Sequence, residues 1–168
     1  MLLILIPVQA LAMSSTTMVG QNWGAGLRDR TRESVSVTIR LSLIATAVLG
    51  VAAFLAARQL IGLFSPDAEV VSYGVRFIQI VTPFYLMVCF NQIYAGALRG
   101  IGDATAPTVI MLCSFVVFRQ IYLYVTRLLD FGFLAVALAY PMGWILCSVL
   151  LAVRYRRSAL FLSPKETK

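Results

Sequence analysis

Long apolar runs separated by short polar segments make up most of the chain. Each run supplies the roughly 20 apolar residues that a helix needs to cross about 30 Å of bilayer hydrocarbon. Strand-type alternation of apolar and polar residues is not sustained anywhere along the sequence. The pattern predicts an all-α, polytopic integral membrane bundle of about five transmembrane helices, at about residues 2–20, 41–64, 71–98, 104–126 and 131–153.

The predicted bundle takes up residues 1–157, and residues 158–168 form a polar tail. The first run is apolar from its start, without the basic region that opens a signal peptide. A span with no leader is what we expect of a fragment of a longer protein, with Met1 an internal methionine. Between the second and third runs, Ser65-Pro66-Asp67 predicts a helix start, with Ser65 as the N-cap and Pro66 at the first helical position.

Composition agrees with a membrane protein. Of the 168 residues, 60% are apolar and 12% are charged, and a soluble domain of this size needs more charge to cover its surface. Histidine is absent and the three cysteines lie inside apolar runs, so we expect neither a metal centre nor a disulfide. P-loop, zinc-protease and serine-hydrolase motifs are also absent, and the sequence predicts no enzyme and no cofactor.

Basic residues lie in the short segments between the runs, which indicates contact with an anionic cytoplasmic leaflet rather than nucleic acid. If the spans alternate in direction, ten of the 14 lysines and arginines fall on one side, three on the other, and Arg119 within a span. The first loop and the C-terminus are then cytoplasmic, in a multi-pass protein of the plasma (bacterial inner) membrane. The ten are Arg28, Arg30, Arg32, Arg40, Arg99, Arg154, Arg156, Arg157, Lys165 and Lys168; the three are Arg58, Arg76 and Arg127.

The second span carries small residues at a fixed interval. Ser42, Thr46 and Gly50 repeat every four residues and therefore line one helix face. Faces of this kind let helices approach closely in membranes. We expect this face to serve packing rather than substrate contact.

Polar side chains follow three- and four-residue steps along the third span, where burial in hydrocarbon is costly. Pro83 lies beside this polar face and must disturb the backbone hydrogen bonds there. The face fits a substrate pathway with a hinge, and it fits ordinary interhelical hydrogen bonding equally well. Asn91 is about 100° from Gln92 and is expected to face a different neighbour. The face comprises Gln79, Thr82, Tyr85, Cys89, Gln92 and Gly96.

Arg119 shares a face of the fourth span with Phe115 and Tyr122. An arginine at a helix centre costs about 2.5–3.5 kcal/mol on insertion scales. The acidic residues all lie near loops or span ends, so Arg119 either snorkels, meets helix carbonyls or pairs with a part of the protein outside this chain. A coupling ion, proton or sodium, is likewise expected to bind outside this fragment. The candidate pathway residues are Gln79, Thr82, Tyr85, Gln92, Arg119 and Tyr122, with Pro83 and Pro141 as candidate hinges.

Three short motifs occur in a fixed order along the chain. Gly20-Gln21-Asn22-Trp23-Gly24-Ala25-Gly26 precedes a group of arginines, and Gly96-Ala97-Leu98-Arg99-Gly100-Ile101-Gly102-Asp103 follows the helix with the internal proline. Tyr140-Pro141-Met142-Gly143-Trp144 lies in the last span. With these motifs the chain resembles the last five of the twelve helices of the multidrug and toxic compound extrusion (MATE) family. The loop positions that carry the resemblance are Gln21, Asn22, Gly24, Arg99, Gly100, Gly102 and Asp103.

The resemblance implies a partial second bundle of a twelve-helix secondary antiporter. Such a transporter exports amphipathic or cationic drugs and toxic compounds in exchange for protons or sodium. Its partners would be the lipid bilayer, the small substrate and an N-terminal bundle that this chain lacks. Two alternatives are a lipid-linked oligosaccharide flippase of the same superfamily, which should display several cations for its headgroup, and a non-transporting membrane assembly fragment.

Overall fold

A computed structural model describes residues 2–64 and 67–158, with the side chains of residues 2 and 3 left out. Within these ranges the chain is helical and contains no strand, which confirms the all-α prediction. A 3-10 turn, Thr82–Phe84, joins α4 to α5, and a π-helical segment, Cys113–Val117, joins α6 to α7. The helices are α1 (Leu2–Gly24), α2 (Arg28–Leu55), α3 (Ala57–Gly62), α4 (Ala68–Val81), α5 (Tyr85–Gly100), α6 (Thr105–Leu112), α7 (Phe118–Leu128) and α8 (Phe133–Arg156).

Four helical stretches in the described part of the chain are long and apolar enough to cross a membrane. They are Arg28–Leu55, Ala68–Gly100, Thr105–Leu128 and Phe133–Arg156, and the second and third of them include the 3-10 turn and the π-helical segment. The polytopic membrane bundle that the sequence predicts is thereby confirmed. Helix α1 covers the first predicted span.

The second helix differs most from its predicted range of 41–64. It begins at Arg28, because Thr31, Ser34 and Val35 of its arginine-rich half are buried against the rest of the bundle. It ends at Leu55, where Ala56 leaves the helical conformation and the short helix α3 follows. Arg58 and Gln59 interrupt the apolar run just after this point, but two polar residues do not by themselves show that a helix breaks.

The start of α4 also differs from the prediction made for it. Its N-cap is Asp67, whose carboxylate accepts hydrogen bonds from the backbone N–H of Glu69 (2.8 Å) and Val70 (3.5 Å). The sequence placed the N-cap at Ser65 because a serine followed by a proline is a common helix start. Ser65 and Pro66 themselves lie outside the described residues, as does the polar tail from residue 159 onward.

Helices α1 and α5 cross so closely that glycine is required at the contact. A Cβ atom on Gly96 would lie 2.9 Å from the carbonyl oxygen of Ala12, and one on Gly100 would lie 2.8 Å from that of Thr16. Two turns before Gly96, on nearly the same face of α5, Cys89 Sγ contacts Thr46 Oγ1 of α2 at 3.1 Å. Ser42, Thr46 and Gly50 are all buried, which confirms the predicted packing face of α2.

The arginine-rich segments meet at one end of the bundle. Trp23, Ile101 and Tyr155 belong to a single hydrophobic cluster, and the Asp103 carboxylate accepts a hydrogen bond from the Arg154 guanidinium. The α1–α2 turn, the α5–α6 turn and the end of α8 therefore lie side by side, as the alternation of spans requires.

We expect Gly100→Ala to lower the free energy of unfolding by about 1–3 kcal/mol, because a methyl group there overpacks the contact between α1 and α5. The midpoint of thermal unfolding in detergent measures the effect. Gly24→Ala is the matched control, since a Cβ atom on Gly24 has no neighbour within 4 Å. Equal midpoints for the two variants would contradict the close-contact explanation.

Candidate functional site

The helix that carries the predicted polar face changes its geometry at Pro83. Proline lacks the N–H that an α-helix needs at this position, and the backbone passes through the 3-10 turn Thr82–Phe84 before α5 begins at Tyr85. The predicted disturbance is therefore present in the backbone. The hinge role of Pro83 stays a prediction.

Residues of the predicted polar face contact several different neighbours. Thr82 is buried toward α2, with its methyl carbon 3.4 Å from a Cβ placed on Gly50. Tyr85 faces α8, where its ring centroid lies 5.0 Å from that of Trp144. Gln79 is exposed and Gln92 is half-buried, and their place in a substrate pathway stays a prediction.

A cavity of about 410 Å³ lies between α1, α4, α5, the π-helical segment, α7 and α8. Five of its eleven lining residues are aromatic, and rings contact one another in a chain from Phe77 through Tyr140 (6.1 Å) to Trp144 (6.3 Å). Of the candidate pathway residues, Tyr85 and Arg119 line it together. The other lining residues are Leu5, Phe77, Val81, Ser114, Phe115, Ala139, Tyr140, Gly143 and Trp144.

Arg119 is half-buried at this cavity. Its guanidinium carbon lies 5.3 Å from the ring centroid of Tyr140, within the range of a cation–π interaction. The charge pattern alone did not indicate an aromatic partner for Arg119. The sequence shows which acidic residues are absent from the spans, but it does not show which aromatic rings lie near the arginine. The lining residues include this one cation and no carboxylate.

The π-helical segment Cys113–Val117 forms one wall of the cavity. It lies close to Gly143 of α8, where a Cβ atom would be 3.3 Å from the carbonyl oxygen of Ser114. Single π-turns inside α-helices occur often at functional sites. Nothing in the apolar sequence of this segment predicted it.

Tyr122 lies apart from this cavity, although it shares a helix with Arg119. It lines a separate groove with Thr126 of α7 and with Phe131 and Leu134 near the start of α8. Pro141 is buried within α8, which runs through it from Phe133 to Arg156. The roles of Tyr122 in a pathway and of Pro141 as a hinge stay predictions.

Asn91 is fully buried and joins α5 to α8, as its predicted difference in direction from Gln92 allows. Its amide nitrogen donates to the carbonyl oxygen of Trp144 at 3.3 Å. The Ser148 hydroxyl lies 2.7 Å from the amide oxygen of Asn91, with the carbonyl oxygens of Trp144 (2.8 Å) and Met87 (3.0 Å) as further acceptors. This polar contact holds the two helices that carry most of the aromatic wall.

Residues of the loop motifs make their contacts mainly at the arginine-rich end of the bundle. Asn22 donates to the Ser34 hydroxyl at 3.3 Å and so links α1 to α2. Gly102 has φ +91°, which favours glycine. The second carboxylate oxygen of Asp103 accepts the N–H of Ala106 at 3.2 Å, so Asp103 contacts both the first turn of α6 and Arg154. Gln21, Gly24 and Arg99 are exposed.

Comparison with known proteins gives consistent matches. The MatE family profile matches residues 1–125. A probable multidrug resistance protein NorM from Thermotoga maritima is 26% identical over 109 residues, which are 65% of this chain and 24% of that protein. The NorM protein of the same description from Idiomarina loihiensis is 25% identical over 161 residues, or 93% of this chain and 35% of that protein.

A solved structure shares the fold. It is an inward-facing conformation of a multidrug resistance MATE family transporter of the MOP superfamily, with a TM-score of 0.79 and 21% sequence identity. The match covers 90% of this chain and 34% of that structure's chain. The chain thus spans about a quarter to a third of the length of the proteins that it matches.

We expect Ser148→Ala to lower the free energy of unfolding by about 1 kcal/mol, because the buried amide oxygen of Asn91 loses its hydroxyl donor. Unfolding midpoints of Ser148→Ala, Asn91→Ala and the double variant form a double-mutant cycle, with the exposed Ser36→Ala as control. A coupling energy near zero would show that the contact between α5 and α8 does not depend on this pair.

Proposed function

The chain belongs to the MatE family, and we propose that it forms part of the second bundle of a secondary antiporter that exports amphipathic or cationic compounds. The coupling ion is a proton or sodium, bound outside these residues. The observation that carries the proposal is the aromatic cavity beside Arg119, where one wall of a substrate pathway would lie. The substrate, the lipid bilayer and a first bundle are its expected partners.

The chemistry of the cavity supports an amphipathic substrate. Aromatic faces bind apolar and planar groups, and they attract cations through their negative electrostatic potential. A volume of about 410 Å³ is within the range of small-molecule sites. Because no carboxylate lines it, a cationic substrate finds its acidic partner elsewhere in the complete transporter.

The known relatives support export rather than another membrane role. Both curated matches are described as probable multidrug resistance proteins. A flippase for lipid-linked oligosaccharides would be expected to concentrate several cations at its headgroup site, whereas Arg119 is the one cation among the lining residues here. A purely structural fragment would have no need of a cavity at this depth.

The segregation of charge supports one orientation in the bacterial inner membrane. The arginine-rich turns and the end of α8 meet at the same end of the bundle. Arg28 packs there on the ring of Trp23, with its guanidinium carbon 3.3 Å from the ring centroid. By the positive-inside rule this end is cytoplasmic, and the break between α2 and α3 is on the opposite side.

We expect Tyr140→Ala to lower the rate of ethidium export about fivefold, because the cavity loses one aromatic face for a planar cation. The assay measures dye accumulation in cells that lack other efflux pumps and express the complete transporter containing this chain. Tyr124→Ala is the matched control, since Tyr124 lies exposed on α7 outside the cavity. Equal accumulation with and without the transporter, across several dyes, would overturn the export proposal.

We expect single cysteines at the two ends of the bundle to be labelled from opposite sides of the membrane. Leu63→Cys should react with a membrane-impermeant maleimide in intact cells, and Arg157→Cys should react only after the cells are opened. Labelling of both positions from the same side would contradict the alternation of spans on which the orientation depends.

A further inference from the structure

A groove lies at the end of the bundle opposite the arginine-rich end. Helix α3 follows the break at Ala56 and packs along α4, where a Cβ atom on Gly74 would lie 3.0 Å from Ile61 Cγ2. The groove between the two helices has a volume of about 660 Å³. Its walls include Arg58 and Gly62 of α3 and Val71, Ser72, Val75 and Arg76 of α4.

Two arginines from different helices, Arg58 and Arg76, therefore line this groove, and neither forms an ion pair with an acidic residue in the described part of the chain. The ion pairs among the described residues are Arg32–Asp29 and Arg154–Asp103, and neither involves Arg58 or Arg76. The nearby Asp67 carboxylate accepts hydrogen bonds from the first turn of α4. Like charges in one groove repel each other, so an anion between them is stabilising.

The surroundings of the groove indicate where that anion comes from. Large apolar side chains just before and after α3 in the sequence are widely exposed: Leu55 by 73%, Leu63 by 81% and Phe64 by 88%. Exposed apolar side chains at the end of a membrane-spanning helix lie in lipid, and arginines at that depth direct their guanidinium groups toward the headgroups. A phospholipid can place its acyl chains on the apolar surface and its phosphate in the groove.

We propose that the groove between α3 and α4 binds the phosphate-bearing headgroup of an anionic phospholipid, with Arg58 and Arg76 as its ligands. The planar guanidinium group binds phosphate oxygens through paired hydrogen bonds. Ser72 is placed to contribute a hydroxyl from the same wall. This site is separate from the aromatic cavity and does not depend on the transported substrate.

The test measures lipid binding to the purified chain by native mass spectrometry. Phosphatidylglycerol is titrated against phosphatidylcholine with the same acyl chains. We expect Arg58→Gln and Arg76→Gln each to weaken phosphatidylglycerol binding about fivefold, which is the effect of one arginine near an anionic headgroup. Arg127→Gln removes a charge from the same end of the bundle outside the groove and should leave binding unchanged.

Several results would overturn the proposal. They are equal binding of the two lipids, an equal loss in Arg127→Gln, or displacement of the lipid by millimolar inorganic phosphate, which would indicate a site for a soluble anion. Arg58→Lys keeps the charge at the groove and should retain more binding than Arg58→Gln. Unfolding midpoints of all variants show whether a loss of binding reflects the groove or a loss of fold. If both glutamine variants unfold, Arg58→Lys carries the test, and a folded Arg58→Lys that binds the two lipids equally would overturn the proposal.

Discussion

The close crossing of α1 and α5 is the constraint on which the rest of the bundle depends. With Gly96 and Gly100 at the contact, the two backbones approach until a Cβ atom would meet carbonyl oxygens. In lipid there is little hydrophobic gain from bringing helices together, and tight packing supplies much of the association free energy. Because α5 also packs on α2 and α8, this contact fixes the helix around which the bundle forms.

Much of the fold could be predicted from the sequence, because the helices are determined by long apolar runs that are visible in the chain itself. A run of about 20 apolar residues has few stable alternatives to a helix in hydrocarbon. The packing face at Ser42, Thr46 and Gly50 could also be predicted, since a four-residue repeat can be recognised without knowledge of the tertiary structure. The π-helical segment could not be predicted, because it lies within an apolar stretch whose composition does not change there. The break at Ala56 was missed although Arg58 and Gln59 lie just beyond it, because two polar residues do not by themselves end a helix.

The site was predicted only in part, for a geometric reason. The three-residue steps place Gln79, Thr82 and Tyr85 on one broad face, but they do not show which neighbouring helix each part of that face meets. Thr82 lies against α2 and Tyr85 lines the cavity, while Gln79 is exposed. The aromatic partner of Arg119 comes from α8, which is distant in sequence, and a single sequence carries no signal for such a pairing.

The π-helical segment has a consequence for how this protein tolerates change in length. A π-turn accommodates one residue more than the α-helix around it in nearly the same rotation, so the extra residue leaves the phase between α6 and α7 almost unchanged. Loss of a single residue there would restore a regular helix and keep Arg119 facing the aromatic wall. Loss of a residue from the regular part of α7 before Arg119 would instead rotate the arginine by about 100°. The position of the arginine at the cavity is thus tolerant of a deletion within the π-helical segment and sensitive to one just beyond it.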